Sequence, residues 1–259
     1  MSDVLESILR RKAREVARRA RRWEPSEARA ESRGAPDALR RVDGAPRVIA
    51  EVKFRSPSAG AIRGRAAGEG ARVARAYQAG GAAAVSVLAD GLGFGGSPLE
   101  VRRVARAVGV PVLFKEFVLH ELQLDLAVRV GASMALLLVR ALPAARLHEL
   151  VAACHARGLV PVVEAADEGE LGVALETAAT VVGVNARDLR TFRVDPARAE
   201  RLIEAIPSER VAVYMSGVRS EDDLRRVRDG RADAALVGEG LMRAEEPGKR
   251  LAAWLGAMA

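Results

Sequence analysis

Short apolar runs rich in β-branched residues alternate with segments of helical period along this chain, and the alternation restricts its possible folds. Eight such runs occur in order: Val48–Lys53, Ala84–Leu88, Pro111–Lys115, Met134–Val139, Leu159–Glu164, Val181–Asn185, Val211–Met215 and Ala234–Gly238. Apolar runs that alternate with helices are typical of parallel strands buried on both faces. Eight strand and helix units in 259 residues predict a closed (β/α)8 barrel, which usually takes about 250 residues.

Residues typical of helix ends separate the runs. Ser97-Pro98-Leu99-Glu100 combines an N-cap, a proline at the first helical position and a capping-box glutamate. The pairs Asp167 with Glu170 and Ser220 with Asp223 repeat the box, and Asp195-Pro196 repeats the proline. Glycines stand where helix C-caps are expected, at Gly81, Gly109, Gly131, Gly158 and Gly230.

The alternative to a barrel is a doubly wound open sheet. Its first strand-to-helix turn would be expected to carry a G-x-G-x-x-G phosphate fingerprint, which this chain lacks there. We therefore predict a single barrel domain over residues 1–259, with a helical extension at 1–46 and the barrel at 47–259.

The N-terminal segment, residues 3 to 22, predicts an amphipathic basic helix. Its apolar residues recur at helical spacing: Leu5, Ile8, Leu9, Ala13, Val16, Ala17 and Ala20. Its basic residues cover the rest: Arg10, Arg11, Lys12, Arg14, Arg18, Arg19, Arg21 and Arg22. We expect this helix to pack on the barrel; the alternative is an arm that binds nucleic acid or a membrane.

Composition limits the classes of function. A formal net charge of +7 fits nucleic acid, anionic substrates or arginine-rich solvated helices, but 3% aromatic residues argue against stacking on single-stranded nucleic acid. No apolar run approaches the ~20 residues that cross a bilayer, and the N-terminus lacks a secretory signal, so we expect a cytoplasmic protein. The single cysteine, Cys154, excludes an internal disulfide, and with His155 it makes no metal site.

Polar side chains end the apolar runs. Strand one ends in Glu51 and Lys53, which share a face because they are two residues apart. Strands three, five and six end in Lys115, Glu164 and Asn185. The carboxyl ends of barrel strands meet at one mouth, where active sites lie, whereas isolated rim ion pairs would contribute only about 0–1 kcal/mol each. Their convergence predicts an active site.

Three places suit a phosphate group. They are Ser56, the Ser216-Gly217 turn after strand seven, and the Gly238 turn that opens the segment Glu239–Arg243. The charge of Glu239 would repel a phosphate, so we expect its side chain to turn outward and only its N–H to take part.

These residues together resemble indole-3-glycerol phosphate synthase, a barrel lyase of tryptophan biosynthesis, over almost the whole chain. The motifs that carry the resemblance are Ile49-Ala-Glu-Val-Lys53 with Ser56-Pro-Ser58, Val85-Ser-Val-Leu88 with Phe94-Gly-Gly-Ser97, Leu113-Phe-Lys-Glu-Phe117, Leu136-Leu-Leu-Val139, Val163-Glu164, Gly183-Val-Asn-Ala-Arg-Asp-Leu189, Ser216-Gly-Val218 and Val237-Gly-Glu-Gly-Leu-Met-Arg243.

The resemblance implies a carbon–carbon lyase (carboxy-lyase) that converts 1-(o-carboxyphenylamino)-1-deoxyribulose 5-phosphate to indole-3-glycerol phosphate without metal or organic cofactor. It implies that Lys115 is the general acid and that Lys53 pairs with the substrate carboxylate or assists proton transfer. Glu164 and Glu51 would take up protons or steady the cation and the leaving hydroxyl. The implied binding residues are Asn185 and Arg187 for polar groups, Phe94 and Phe117 for the anthranilate ring, and Ser56, Ser216, Gly217, Gly238 and Glu239 for the phosphate.

The chain departs from the family pattern at several positions. Met215 stands where a glutamate usually precedes Ser216-Gly217, Glu116 replaces an aspartate, and Ala89-Asp90 replaces Thr-Glu; Ala165-Ala166 also differ. Met215 motivates an alternative, a catalytically altered paralogue that binds or converts another sugar phosphate. The predicted partner is a small anionic sugar phosphate, with no nucleic acid and no membrane, and the chain would be a monomer or weak homodimer.

Overall fold

Eight parallel strands close into a barrel in a computed structural model of the chain, which describes residues 4–57, 59–188 and 193–258. The strands are β1 (Arg47–Val52), β2 (Ala84–Leu88), β3 (Val112–Lys115), β4 (Met134–Leu138), β5 (Val160–Ala165), β6 (Val181–Asn185), β7 (Val211–Met215) and β8 (Ala234–Val237). Each strand is hydrogen-bonded to the next in the chain, and β1 closes the barrel on β8. The predicted (β/α)8 TIM barrel is confirmed, and each run agrees with its strand to within one residue at either end.

Helices follow the strands and surround the barrel. They are α1 (Val4–Ala20), α2 (Glu69–Ala79), α3 (Gly91–Phe94), α4 (Pro98–Ala105), α5 (Glu121–Arg129), α6 (Ala144–Ala156), α7 (Glu168–Glu176), α8 (Pro196–Glu204), α9 (Glu221–Asp229), α10 (Glu239–Met242) and α11 (Pro247–Gly256). Short 3-10 turns occupy Asp37–Leu39 and Val139–Ala141, and Arg55–Ser56 pairs with Gly60–Ala61 in a small hairpin. Of the motif residues named above, Ser58 and Leu189 lie outside the described residues.

Two apolar layers fix which way each strand residue points. Ile49 belongs to the cluster inside the barrel, whereas Ala50 and Val52 belong to the cluster between strands and helices. Because side chains alternate along a strand, Glu51 shares the face of Ile49 and points toward the barrel axis. A buried carboxylate at the top of the barrel therefore follows from the strand geometry.

Most predicted N-caps occur as expected, but of the three predicted capping boxes only that of Ser220 with Asp223 has both of its hydrogen bonds. Ser97, Asp167, Asp195 and Ser220 each accept a hydrogen bond from the backbone N–H three residues later. Gly81, Gly131 and Gly158 have the positive φ of a helix-ending glycine. The cap prediction is wrong for Gly109, because α4 ends at Ala105 with Arg106 as its cap. Gly230 does end α9, but with an extended backbone at φ −96°.

The N-terminal helix α1 packs on the barrel, as predicted. Leu5, Ile8 and Val16 are buried on its inner face. Lys12 is also buried, at 3% exposure, although the sequence pattern placed it among the solvated basic residues. Beyond the helix, Trp23 Nε1 donates a 2.8 Å hydrogen bond to the buried Asp125 and secures the segment that follows α1.

Several arginines bind the carbonyl ends of barrel helices. Arg33 donates to Ala105 O at 3.0 Å beyond α4, and Arg41 donates to Arg228 O at 2.9 Å in α9. Arg210 likewise donates to Leu175 O at 2.9 Å in α7. Cations at helix C-termini complement the helix dipole. Part of the positive charge of the chain is thus used within the fold.

The length and apolar character of a helix decide whether it can cross a bilayer. Over residues 4–57, 59–188 and 193–258, no helix is both long enough and apolar enough to span one.

Candidate active site

A cavity opens at the carboxyl ends of the strands and holds about 1020 Å³ of space, including the part continuous with solvent. Every site residue predicted from the sequence lines it: Glu51, Lys53, Ser56, Phe94, Lys115, Phe117, Glu164, Asn185, Arg187, Ser216, Gly217, Gly238 and Glu239. Its lining combines apolar side chains with a few charged and polar groups, which is typical of a small-molecule site. The structure therefore brings together residues from seven of the eight strands and the loops that follow them.

Glu51 is held between two lysines. Its Oε1 lies 2.6 Å from Lys53 Nζ, and its Oε2 lies 3.5 Å from Lys115 Nζ. The Glu51 side chain is 3% exposed, whereas each lysine side chain is 19% exposed and reaches the cavity. Burial acts to raise the pKa of the Glu51 carboxyl, but Lys53 and Lys115 outweigh burial and lower that pKa below its usual range. Glu51 is accordingly ionised at neutral pH.

Gly238 makes room for the Glu51 and Lys53 pair. A Cβ built at this position would lie 2.6 Å from Glu51 Oε1 and 3.2 Å from Lys53 Nζ. Those distances are too short for any side chain, so the end of β8 must be a glycine if the pair is to keep its place. The same contact puts the Lys53 ammonium beside the turn predicted to bind phosphate.

Glu164 has a neutral partner. Asn185 Nδ2 donates to Glu164 Oε1 at 2.9 Å, and Asn185 Oδ1 accepts from the Arg187 backbone N–H at 3.0 Å. The amide of Asn185 is thereby fixed in orientation by its own β6 loop. Among the described residues, no cation lies within ion-pair distance of Glu164, so its carboxylate differs electrostatically from that of Glu51.

The turn after β7 has an unusual backbone. Ser216 and Gly217 both have positive φ, at 68° and 88°. Ser216 is one of few non-glycine residues here with this conformation, which is costly and concentrates at functional sites. Nearby, Arg243 Nε donates to Glu239 Oε1 at 3.0 Å, which draws the Glu239 carboxylate toward the end of α10. This contact agrees with the expectation that Glu239 turns its charge away from a phosphate.

Aromatic and leucine side chains form the apolar part of the cavity. The rings of Phe94 and Phe117 lie 6.1 Å apart between centroids and are tilted by 40°. The remaining apolar lining comes from buried leucines at strand ends: Leu88, Leu136, Leu138 and Leu236. A planar ring can pack between these groups while its charged substituents face the lysines.

Sequence reasoning missed some of the lining. Arg219 follows the Ser216-Gly217 turn and lies on the cavity, and burial together with the charge of Arg219 lowers the pKa of Arg187. Its place directly after a predicted phosphate turn was the available signal. Glu116 also lines the cavity, one residue after Lys115.

Met215 lies below the cavity. It is 0% exposed within the barrel interior, and its Sδ and Cε lie against Gly183, where an added Cβ would come within 2.8 and 2.5 Å of them. Among the described residues that line the cavity, Met215 is absent. The departure from the family pattern thus lies in the packed interior.

A protein metal site needs several ligating side chains close together. Within the described ranges, no group of three or more His, Cys, Asp or Glu side chains is placed to hold a metal ion.

Comparison with known proteins gives consistent matches. The family model described as indole-3-glycerol phosphate synthase matches residues 5–253. Indole-3-glycerol phosphate synthase 2 of Streptomyces coelicolor is 47% identical over 209 residues, which is 81% of this chain and 80% of that protein. The indole-3-glycerol phosphate synthase of Chlorobium phaeovibrioides is 42% identical over 93% of this chain and 95% of its own.

Solved structures at low identity share the fold. An N-acetylmannosamine-6-phosphate 2-epimerase from Clostridium perfringens has a TM-score of 0.61 at 15% identity, covering 88% of this chain and 98% of its own. Thiamine phosphate pyrophosphorylase from Pyrococcus furiosus has a TM-score of 0.59 at 15% identity, covering 82% and 95%. At this identity the likeness concerns the barrel alone.

Proposed function

The chain belongs to the indole-3-glycerol phosphate synthase family, and from that membership we propose how its cavity carries out the reaction. The function is the ring closure of 1-(o-carboxyphenylamino)-1-deoxyribulose 5-phosphate, with loss of carbon dioxide and water, to give indole-3-glycerol phosphate in tryptophan biosynthesis. One observation supports our assignment of roles: the paired Lys53, Glu51 and Lys115 line the same cavity as the aromatic rings of Phe94 and Phe117.

The substrate carries a carboxylate and a phosphate at opposite ends of a flexible chain. Its phosphate would bind the Ser216-Gly217 and Gly238-Glu239 turns with Ser56, where the Lys53 ammonium adds charge. The anthranilate ring would pack against the Phe94 and Phe117 rings, which contact each other at a centroid distance of 6.1 Å. Arg187 and Asn185 would hold the polar groups between the two ends. This orientation bends the chain so that the aromatic carbon approaches the carbonyl.

Lys115 acts as the general acid in the first step. The ring carbon that bears the carboxylate attacks the carbonyl carbon, and the Lys115 ammonium donates a proton to the carbonyl oxygen, which becomes a hydroxyl group. Carbon dioxide then leaves and its electron pair restores the aromatic ring. Glu51 stabilises the charged form of Lys115. The ammonium is therefore in place where negative charge develops on the carbonyl oxygen.

Glu164 acts as the base in the second step. The hydroxyl takes up a proton from the Lys53 ammonium, which regains one from solvent, and leaves as water; the resulting cation loses its proton to Glu164, which completes the indole ring. Glu51 already pairs with two lysines. Their charges outweigh burial and lower the pKa of Glu51, so this carboxylate is a poor proton acceptor. Glu164, held only by the neutral amide of Asn185 among the described residues, is the better base.

Further properties follow as parts of this proposal. The arginines that bind helix ends use part of the positive charge within the fold, and the proposed substrate is a small molecule with two anionic groups rather than a nucleic acid. We retain the prediction of a monomer or weak homodimer, which analytical ultracentrifugation of the purified chain measures directly.

The test is formation of indole-3-glycerol phosphate, followed by its indole fluorescence. Lys115→Met should lower kcat by about 10²–10⁴, the usual contribution of general acid catalysis, while the circular dichroism and thermal midpoint stay as in the wild type. Lys249→Met is the matched control, because Lys249 has a 79% exposed side chain far from the cavity. A rate near that of the wild type in Lys115→Met would remove Lys115 from this role.

A further inference from the structure

Lys12 is a buried lysine that the reaction does not use. It lies on the inner face of α1, and its side chain is 4% exposed. Its ammonium contacts Glu116 Oε2 at 3.0 Å, Asp90 Oδ1 at 3.2 Å and Glu15 Oε2 at 3.1 Å. A lysine is almost never this buried unless it is paired. The two deepest of its partners, Asp90 and Glu116, lie in the loops after β2 and β3.

Asp90 supports the element that carries Phe94. It is the N-cap of α3, and its Oδ2 accepts a 2.8 Å hydrogen bond from the Gly93 backbone N–H. Arg11 also binds this carboxylate, at 3.0 Å. Phe94 is the last residue of α3 and lines the cavity. A shift of Asp90 would therefore be transmitted to the ring of Phe94.

Glu116 supports the other aromatic side chain. Its Oε1 accepts a 2.8 Å hydrogen bond from the Phe117 backbone N–H, while its Oε2 binds Lys12. Phe117 lines the cavity beside Phe94, with its ring centroid 6.1 Å away. One ammonium group thus holds two carboxylates, and each carboxylate binds the backbone beside one of the two rings.

The three groups depend on each other electrostatically. Burial raises the pKa of Glu116 to about 7, and Lys12 opposes that rise. Burial lowers the pKa of Lys12, but its carboxylate partners, Glu116 foremost, outweigh burial and raise it. Removing the ammonium would leave Asp90 and Glu116 without the cation that they share, so no ion pair would hold the two loops at their present separation.

We propose that Lys12 is a positioning residue that holds Asp90 and Glu116 together, fixes the separation of Phe94 and Phe117, and so sets the affinity for the aromatic ring of the substrate. This inference rests on the proposed function, in which those two rings bind anthranilate. It assigns the N-terminal helix a part in substrate affinity without contact to the substrate.

Lys12→Met tests the proposal with two probes measured by calorimetric titration, anthranilate and inorganic phosphate. Anthranilate affinity should fall roughly tenfold, in line with the contribution of a well-placed aromatic contact, while phosphate affinity stays unchanged. With the full substrate, KM should rise by a larger factor than kcat falls. An equal loss of both affinities, or no loss of either, would overturn the proposal.

Two further variants separate positioning from stability. Val16→Ala removes a buried contact one turn along α1 and touches no carboxylate of the cluster, so it should lower the thermal midpoint and leave anthranilate affinity intact. Lys12→Met/Glu116→Gln removes the orphaned charge and should recover stability, yet bind anthranilate as weakly as Lys12→Met. Recovery of anthranilate affinity in the double variant would refute the positioning role.

The outcome for Lys12 is distinguishable from that for the function as a whole. A wild type that forms no indole-3-glycerol phosphate would count against the proposed function. The affinities for anthranilate and phosphate would still show whether Lys12 positions Phe94 and Phe117.

Discussion

Asn185 donates a 2.9 Å hydrogen bond to Glu164, and this bond joins the ends of two neighbouring strands within the cavity. Asn185→Asp would replace the donor with a second carboxylate, and one of the two groups would have to hold a proton. Because Glu164 is the proposed base and a shared proton would block it, we expect kcat to fall by about 10² or more and to recover partly as the pH is raised. The pH profile of kcat measures this.

Asn185→Ala serves as the companion variant, since it removes the donor without adding charge. Its kcat should fall less than that of Asn185→Asp and should keep the pH dependence of the wild type. Identical profiles for the two variants would show that the hydrogen bond does not control the protonation of Glu164.

Gly238→Ala should disrupt the lysine and glutamate pair at the end of β1. The added methyl group would lie 2.6 Å from Glu51 Oε1, so Glu51 and Lys53 must move. We expect KM to rise and kcat to fall together, because Lys53 lies beside the phosphate turn and Glu51 supports Lys115. Steady-state kinetics of the purified variant give both values.

Gly172→Ala is the control for this change. Gly172 is an exposed glycine within α7, and nothing lies within 4 Å of a Cβ built there. Alanine should raise the stability of that helix by up to about 1 kcal/mol and leave both kinetic constants unchanged. Kinetics of Gly238→Ala that match those of Gly172→Ala would contradict the steric argument.

Met215→Glu should cost stability. Met215 is fully buried against Gly183 in the barrel interior, and a carboxylate there would lose its hydration unless it reaches the cavity. We expect urea unfolding to show a loss of several kcal/mol, while Met215→Leu, which conserves volume, should cost less than about 1.5 kcal/mol. The wild type should already be an active synthase. A silent wild type that gains activity with Met215→Glu would support the altered paralogue instead.

Glu69 should contribute stability that is lost in acid. Hydrogen bonds from Arg72 and Arg63 outweigh burial and lower its pKa to about 2. The unfolded carboxyl titrates near 4.3, so the contribution is complete above that pH and disappears as the pH falls toward 2. The difference in free energy of unfolding between wild type and Glu69→Gln should therefore shrink from about pH 6 to about pH 3.

Asp37→Asn provides the reference for the acid experiment. The Asp37 side chain is 89% exposed and its nearest cation is 3.9 Å away, so its substitution should make little difference at any pH. If the two variants respond alike to acid, the Glu69 contacts do not carry the effect.

The barrel and its rim were predictable because both depend on local periodicity. Strand alternation places Glu51 and Lys53 on one face from their spacing alone, and barrel topology then collects Lys115, Glu164 and Asn185 at the same end. Serine and glycine at the strand ends marked the phosphate turns, and the resemblance added Phe94, Phe117 and Arg187; all of these residues line the cavity.

Other features were not predictable because they depend on contacts between distant segments. The helical pattern placed Lys12 on a solvated face. It could not show the ion pairs that bury this lysine, because the partners Asp90 and Glu116 are 78 and 104 residues away in sequence. Gly109 looked like a helix cap, but α4 ended earlier, at Ala105. Arg219 follows the predicted phosphate turn by two residues, but only the folded loop shows that its side chain reaches the cavity.

The seam of the barrel lies between β1 and β8, where Arg47 to Ala50 pair with Ala234 to Val237. Glu51 and Lys53 come from one side of that seam and Gly238 from the other. During synthesis on the ribosome, the strand that completes the site therefore emerges after the other seven. A polypeptide released before residue 234 would expose the unpaired edges of β1 and β7, which favour self-association. Such a fragment would already contain every general acid and base proposed here. Its open strand edges, and not a missing catalytic group, would distinguish it from the complete barrel.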